Sequence, residues 1–330
     1  MLSHQLDRIL NFSRFHCNSD EELHYHVMSD FESQNMEVSN RDGESIPREI
    51  PITVYSAEIT NGYVFRQIFE LYDKLVMEGI PIYFKESGIT IRTGTSSSRD
   101  SMKLISDIEI FTDDIIEYYM NKELATIKAS DEDTACYIEE LNINTVKSVF
   151  KSIAKSNSVR IYKTTLSDDV FIEIKGLTTE HSRLTTSKYR KIHYDVSDYQ
   201  DDEKPNLKIE ISQFCTTMKG MTRGDAEYTS FKVFPKGMMI EGRNGTGSIT
   251  KDMCWGEVPG SKDQTVDIEH DPEDYFETKV SSSSIKALTK ISGMSNYSII
   301  KIISFRNGLL RLNHKIGDFG EHNIYLVDNS

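Results

Sequence analysis

Apolar and polar positions along this chain follow two periods, one helical and one strand-like. Between residues 144 and 155, Val146, Val149, Phe150 and Ile153 recur at i, i+3, i+4 and i+7, while Lys147, Lys151 and Lys155 recur every fourth residue on another face. That is a helix that packs along one stripe and turns cations to water, with Asn144 as its expected N-cap. The same period predicts a helix over 63–78, with Val64, Ile68, Leu71 and Leu75 inside, Arg66 and Lys74 outside, and Gly79 and Pro81 as its stop. A third covers 212–224, with Phe214, Cys215, Met218 and Met221 inside and Lys219 and Arg223 outside. A fourth covers 282–293, with Ile285, Leu288 and Ile291 inside and Lys286 and Lys290 outside.

Short apolar runs bounded by turn residues predict strands at 52–59, 82–84, 89–92, 101–111, 123–129, 134–139, 159–162 and 170–174. In the second half they fall at 207–211, on both sides of Gly237, and at 299–305, 309–312 and 322–327, with Asn307-Gly308 as a tight hairpin turn. The stretch 251–274 reads as a polar loop holding Trp255. The order of helix and strands is written twice, so the chain reads as an internal duplication. An acidic arm, 1–49, precedes two similar α+β domains, 50–193 and 207–330, joined by a loop at 194–206. Each domain carries short basic helices packed on antiparallel sheets.

Charge then changes the picture. The 330 residues carry a formal charge of -14, which argues against a surface coated in nucleic acid and makes the distribution of charge decisive. Residues 144–156 hold three lysines and no acid, and 212–224 and 282–293 each hold two cations and no acid. Only the first helix is different, since Glu70, Asp73 and Glu78 outweigh Arg66 and Lys74. Acid-free helices in an acid-rich chain imply one shared face opposed to something anionic. Lysines on such a face neutralise phosphates without reading bases, giving salt-dependent, sequence-independent attraction.

Other chemistry is sparse. Cys17, Cys136, Cys215 and Cys254 are scattered, with no CxxC pair and no secretory leader ahead of them, which predicts reduced thiols in an intracellular protein. No apolar run is long enough to cross a bilayer, so no membrane partner is expected. His16, Cys17, His24 and His26 fit no zinc framework, and no metal or cofactor is expected. The acid pairs Asp113-Asp114, Asp168-Asp169 and Asp201-Asp202 fall at turns, where acids are favoured for geometry alone. With no Walker loop, GxSxG elbow or HExxH helix, the chain reads as non-catalytic.

Several strings resemble the proliferating-cell nuclear antigen (PCNA) type of DNA sliding clamp: Glu86-Ser-Gly-Ile-Thr-Ile with Thr95-Ser-Ser-Ser-Arg-Asp-Ser-Met, the loop Lys191-Ile-His-Tyr-Asp-Val-Ser-Asp-Tyr, and the ending Ile316-Gly-Asp-Phe-Gly-Glu-His-Asn-Ile-Tyr-Leu-Val. The resemblance covers residues 52–328. It implies a DNA clamp fold: a ring of two-domain subunits, usually a homotrimer, lined by helices and walled by sheets, through which duplex DNA passes. It also implies a clamp loader that opens the ring, and a DNA polymerase and other replication or repair proteins that dock by short peptide motifs. Mapped onto the lining, it places Lys147, Lys151, Lys155, Lys219, Arg223, Lys286, Lys290, Arg66 and Lys74 towards DNA. Mapped onto the peptide groove, it implicates Met102, Val196, Tyr199, Tyr325, Leu326 and Val327.

The connecting loop departs from the family pattern, being acidic at Asp195, Asp198, Asp201, Asp202 and Glu203 and lacking the usual apolar run. The expected function is therefore a processivity factor encircling duplex DNA. The alternatives are a monomeric or dimeric clamp-related factor, or one subunit of a heteromeric checkpoint-type ring. The Asn-, Ile- and Lys-rich style and the extra arm point to a large DNA virus, acting in the nucleus or at a cytoplasmic site of viral DNA replication.

Overall fold

The computed structural model describes residues 50–75, 79–94, 102–125, 127–128, 135–187, 207–223, 227–234, 237–257, 276–295, 299–305 and 309–328. The first half runs β1 (Thr53–Ile59), α1 (Gly62–Leu75), β2 (Gly79–Lys85), β3 (Gly88–Gly94), β4 (Met102–Phe111), a 3-10 turn at Thr112–Asp114, β5 (Glu117–Met120), β6 (Ile127–Lys128), β7 (Ala135–Asn142) and α2 (Ile143–Phe150). It ends with β8 (Ser158–Thr164), β9 (Val170–Lys175), β10 (Thr179–Leu184) and β11 (Thr186–Ser187). The second half runs β12 (Leu207–Glu210), α3 (Ile211–Arg223), β13 (Tyr228–Phe234), β14 (Gly237–Arg243), β15 (Ile249–Glu257) and β16 (Phe276–Ser281). Then come α4 (Ser282–Leu288), a 3-10 turn at Ile291–Gly293, β17 (Ile299–Ser304), β18 (Leu309–Ile316) and β19 (Gly320–Asp328). No helix among the described residues is long and apolar enough to cross a membrane.

The helices and most strands lie where periodicity puts them, with physical reasons for the differences. The cap of α2 is Asn142, not Asn144: its side chain accepts from the backbone N–H groups of Asn144 and Thr145, and the apolar Ile143 occupies the first helical position. The helix ends at Phe150, so Lys151 is its C-cap and Lys155 lies beyond it. The fourth predicted helix divides into α4 and a 3-10 turn. Trp255 is not in a loop but in β15, opposite Gly237. Strands β5, β10 and β16 were unpredicted because Glu117–Met120, Thr179–Leu184 and Phe276–Ser281 lack a clean apolar alternation; pairing to β1, β9 and β13 makes them strands. The Asn307-Gly308 turn, the 194–206 loop and the arm lie outside the described residues.

The sheets show the duplication directly. In the first half the order is β7-β2-β3-β4, and in the second β16-β13-β14-β15. A further sheet ordered β10-β9-β8-β1-β5 has its counterpart in β19-β18-β17-β12-β15. Hairpin β2–β3 closes at Gly88, which sits at φ +133 with no room for a Cβ against the Ile110 carbonyl; Gly237 closes the equivalent β13–β14 hairpin. The halves meet at β4 and β19, which pair antiparallel from Gly320↔Ile110 to Asp328↔Met102 and make one continuous sheet through the molecule. On the helix-facing side of this seam Leu104, Ile108, Ile324, Leu326, Leu310 and Leu312 join the main core.

A polar chain also lies buried there. His314 and His322 face each other across β18 and β19, with Nε2 of His314 2.9 Å from Nδ1 of His322. The Nε2 of His322 lies 2.8 Å from Ser106 Oγ, and Ser106 donates to the Tyr72 hydroxyl, which donates to the Ile91 carbonyl at 2.7 Å. The chain ties α1, β3, β4, β19 and β18 together across the seam. Burial holds His314 down at about 4. Burial, and then the neighbouring His314, hold His322 well below its ordinary value.

Because both folded-state values lie below the ordinary 6.5, the unfolded chain takes up these protons first as pH falls. Stability present above about pH 6.5 is therefore lost towards pH 4, on the order of 3 kcal/mol for His314 alone. Urea midpoints should fall between pH 7 and pH 4.5, and the double substitution His314→Leu/His322→Leu should flatten that dependence. An unchanged slope would show that the acid sensitivity comes from elsewhere.

Candidate nucleic-acid interface

The helices form one layer because each buries its apolar stripe on the sheets and its flank on a neighbour. Side by side they run α2, α1, α4, α3. Between α2 and α1 the contact is aromatic: Phe150 lies 4.4 Å from Phe69 and 5.8 Å from Phe65, measured between ring centroids. Between α1 and the turn after α4, Gly293 lacks the Cβ that would meet Gln67. Between α3 and α4, Cys215 Sγ contacts the Leu288 carbonyl at 3.7 Å. With the inner stripes committed to packing, the remaining faces turn to solvent.

The cations assigned to DNA from sequence stand on these helices or, for Lys151, Lys155 and Lys290, just past their ends. Lys151, Lys219, Arg223 and Lys286 are exposed and pair with no described acid. Lys155 is exposed and sets its ammonium over the Tyr63 ring at 5.6 Å, with the Arg66 guanidinium 5.8 Å from the same ring. Arg66 is largely engaged within the protein: Nε donates to Glu70 at 2.8 Å, and one terminal nitrogen donates to the Lys151 and Ile153 carbonyls beyond α2.

The acids of α1 are clamped. Asp73 bridges Lys74 at 3.2 Å and Lys147 of α2, and Glu70 joins Arg66 to Lys290, 4.0 Å away beyond α4. Burial raises the Asp73 carboxyl, but the bonds from Lys147 and Lys74 outweigh it and hold the group below its ordinary value. The i,i+4 spacing of Arg66 and Glu70 and the adjacency of Asp73 and Lys74 are legible in sequence. Their partners on neighbouring helices are not, because that pairing depends on which helices adjoin.

The residues assigned to peptide binding divide. Val196 and Tyr199 lie outside the described residues, as does the side chain of Met102. All three of the assigned residues in β19 are buried, and Leu326 faces the main core beneath the helices. Tyr325 and Val327 point the other way, into a separate apolar cluster with Ile105, Ile303, Phe305 and Leu309. Beside it Arg92 donates two hydrogen bonds to Asp107, at 3.0 and 2.9 Å, and burial pushes the Tyr325 hydroxyl up to about 12.

No metal-holding group of three or more His, Cys, Asp or Glu side chains occurs among the described residues. Asp113-Asp114 lie in the 3-10 turn after β4, and Asp168-Asp169 lie between β8 and β9, where Asp169 pairs with Arg183. The turn assignment therefore holds for these two pairs, and Asp201-Asp202 and the arm's histidines lie outside the described residues.

No family model matches the chain, and no curated protein matches it. Solved structures do. Proliferating cellular nuclear antigen from Entamoeba histolytica aligns with a TM-score of 0.64 over 84% of this chain and 100% of its own, at 10% identity. A PCNA2–PCNA3 complex from Sulfolobus tokodaii aligns at 0.62 over 83% of this chain and 99% of its own, at 12% identity. At such identities the likeness concerns fold, and it says nothing of the organism this chain comes from. With its doubled antiparallel sheets, its helices in one layer and its seam at β4–β19, the chain has the α+β fold of the PCNA-type DNA clamp.

Proposed function

We propose that this protein is a sliding clamp: a closed ring of identical subunits that encircles duplex DNA and tethers a DNA polymerase and other replication proteins to it. The observation that carries the reading is the helix layer, where cations concentrate on one exposed face of a chain whose net charge is -14. Such a face attracts phosphates without sequence preference, and the acidic remainder repels DNA elsewhere. The partner proteins, among them the loader that opens the ring, belong to this proposal. So does docking of peptides on the Tyr325 and Val327 side of the seam.

The duplication supports ring closure. Strand β19 has β10 as its counterpart, and β4 has β15. Within the chain β19 pairs with β4. Among the described residues β10 pairs only with β9, and β15 along Ile249–Trp255 only with β14, so both counterparts present open edges. Repeating the β4–β19 seam between copies joins β10 of one to β15 of the next, a head-to-tail contact that closes by rotation. Antiparallel pairing brings together Leu177 before β10 and Trp255 near the end of β15, both exposed.

Light scattering at near-physiological salt should give the mass of three copies of the 37.8 kDa chain, and the double variant Leu177→Asp/Trp255→Asp should reduce it to one copy. A single-copy mass for the parent would overturn the closed homomeric ring. It would favour a partner-completed ring or a clamp-related factor acting alone.

Changing Lys151, Lys219, Arg223 and Lys286 together to Ala should weaken binding to linear duplex equally for unrelated sequences. The slope of log affinity against log salt should become shallower by about three to four. Thermal stability should be nearly unchanged, since these side chains are exposed. Fluorescence anisotropy across a sodium chloride series measures the first effect, and a slope that stayed the same would count against the helix layer as the DNA face.

A further inference from the structure

Helix α1, one of the two inner helices of the layer, has its charges engaged in pairs. On α1, Asp73 holds Lys74 and Lys147, and Glu70 holds Arg66 and Lys290. Two carboxylates thus engage cations from two helices and from the turn beyond a third. The second half is built otherwise. Counting back from the equivalent hairpin glycines, Gly88 and Gly237, the same step carries Lys74 onto Arg223, Glu70 onto Lys219 and Asp73 onto Thr222. Likewise α2 and α4, each following directly on its strand, carry Lys147 onto Lys286 and Lys151 onto Lys290. Lys74, Lys147 and Lys151 have a cation at the matching position, Arg66 falls on Cys215 and Lys155 on Met294, and the two acids have no acidic counterpart in the second half.

We propose that Asp73 and Glu70 are built-in counter-anions that weaken the hold of the helix layer on a polyanion, leaving the α1 stretch loose and the cations of α3, α4 and the end of α2 attractive. This rests on the reading of that layer as the surface facing duplex DNA. The physical basis is ion exchange. A free lysine that neutralises a phosphate releases a condensed cation into solution, and that release drives binding. A lysine already paired to a carboxylate must break its pair, or brings an anion to the phosphate along with its own charge. The bonds from Lys147 and Lys74 hold the Asp73 carboxyl below its ordinary value despite its burial, so it stays charged beside both ammonium groups and a phosphate must compete with it for them. A loosened stretch lowers the barrier between successive phosphate registers, which suits a surface that must move along DNA.

The test uses the full chain and a fluorescein-labelled linear duplex, with anisotropy read across a sodium chloride series. The variant Asp73→Asn/Glu70→Gln should bind about tenfold more tightly at low salt, with a slope of log affinity against log salt steeper by about two, as further phosphates become neutralised. A control, Glu86→Gln/Glu123→Gln, removes the same charge from exposed turns outside the layer and should change neither quantity appreciably. If the two double variants tighten alike, net charge alone is responsible and the inference fails. If neither differs from the parent, it also fails, while the reading as a DNA clamp stands so long as the parent binds in a salt-dependent way through Lys151, Lys219, Arg223 and Lys286. A parent with no salt-dependent binding would overturn both. Because the Asp73–Lys147 pair joins α1 to α2, the single variants Asp73→Asn and Glu70→Gln are measured alongside, each with its melting midpoint. Each should show about half of the effect, so the result does not depend on the folding of the double variant.

Discussion

Pairing of β4 with β19 is the constraint on which the rest of the structure depends. It is the longest strand pairing among the described residues, running from Ile110 to Met102 against Gly320 to Asp328, and it joins the first half to the last strand of the second. Without it the chain would be two similar sheet assemblies, each with its own pair of helices. With it the sheet is continuous, α1 of one half lies beside α4 of the other, and four short helices become one surface. The register is held from both sides. Leu104 and Leu326 oppose each other on the core face, Ile105 and Tyr325 on the outer face, and slipping by one residue would exchange the two sets. The buried histidines fasten the same place with hydrogen bonds, which apolar side chains would not direct so specifically.

The duplication was legible in sequence because it rests on local patterns: a helical stripe, a turn glycine at Gly88 and again at Gly237, and a strand on either side. The location of the cations was legible for the same reason, since Lys219 and Arg223 or Lys286 and Lys290 fall four apart on the face opposite to buried residues. What local pattern cannot contain is adjacency between helices. Nothing between residues 62 and 75 indicates that Asp73 will meet Lys147, or Glu70 approach Lys290; those pairs exist because the seam and the Phe65–Phe69–Phe150 contact bring three helices together. Trp255 was misread for a related reason. Its neighbours Lys251, Asp252 and Gly256 are poor strand formers, and pairing with β14 overrides that preference. Tyr325, Leu326 and Val327 were assigned to peptide binding by likeness as one run, but alternation along β19 turns Leu326 away from Tyr325 and Val327.

Charge and architecture meet in the helix layer. The chain is acidic overall, and the cations of the helix layer are partly offset by two carboxylates of α1. A surface built to grip DNA by affinity would be expected to keep acids out of it. Here the free cations stand on α3, on α4 and at the end of α2, flanking a helix whose charges are internally balanced. Attraction of that kind is too weak and too diffuse to hold a duplex for long against salt. It is adequate only where departure is prevented by some other means, and on the proposed reading the edges of β10 and β15, counterparts of the two strands that already pair within the chain, would supply that means by joining a second copy. On the proposed reading, closing the ring and weakening the lining are therefore parts of one solution: topology retains the DNA, so the helix layer need only keep it centred and free to move.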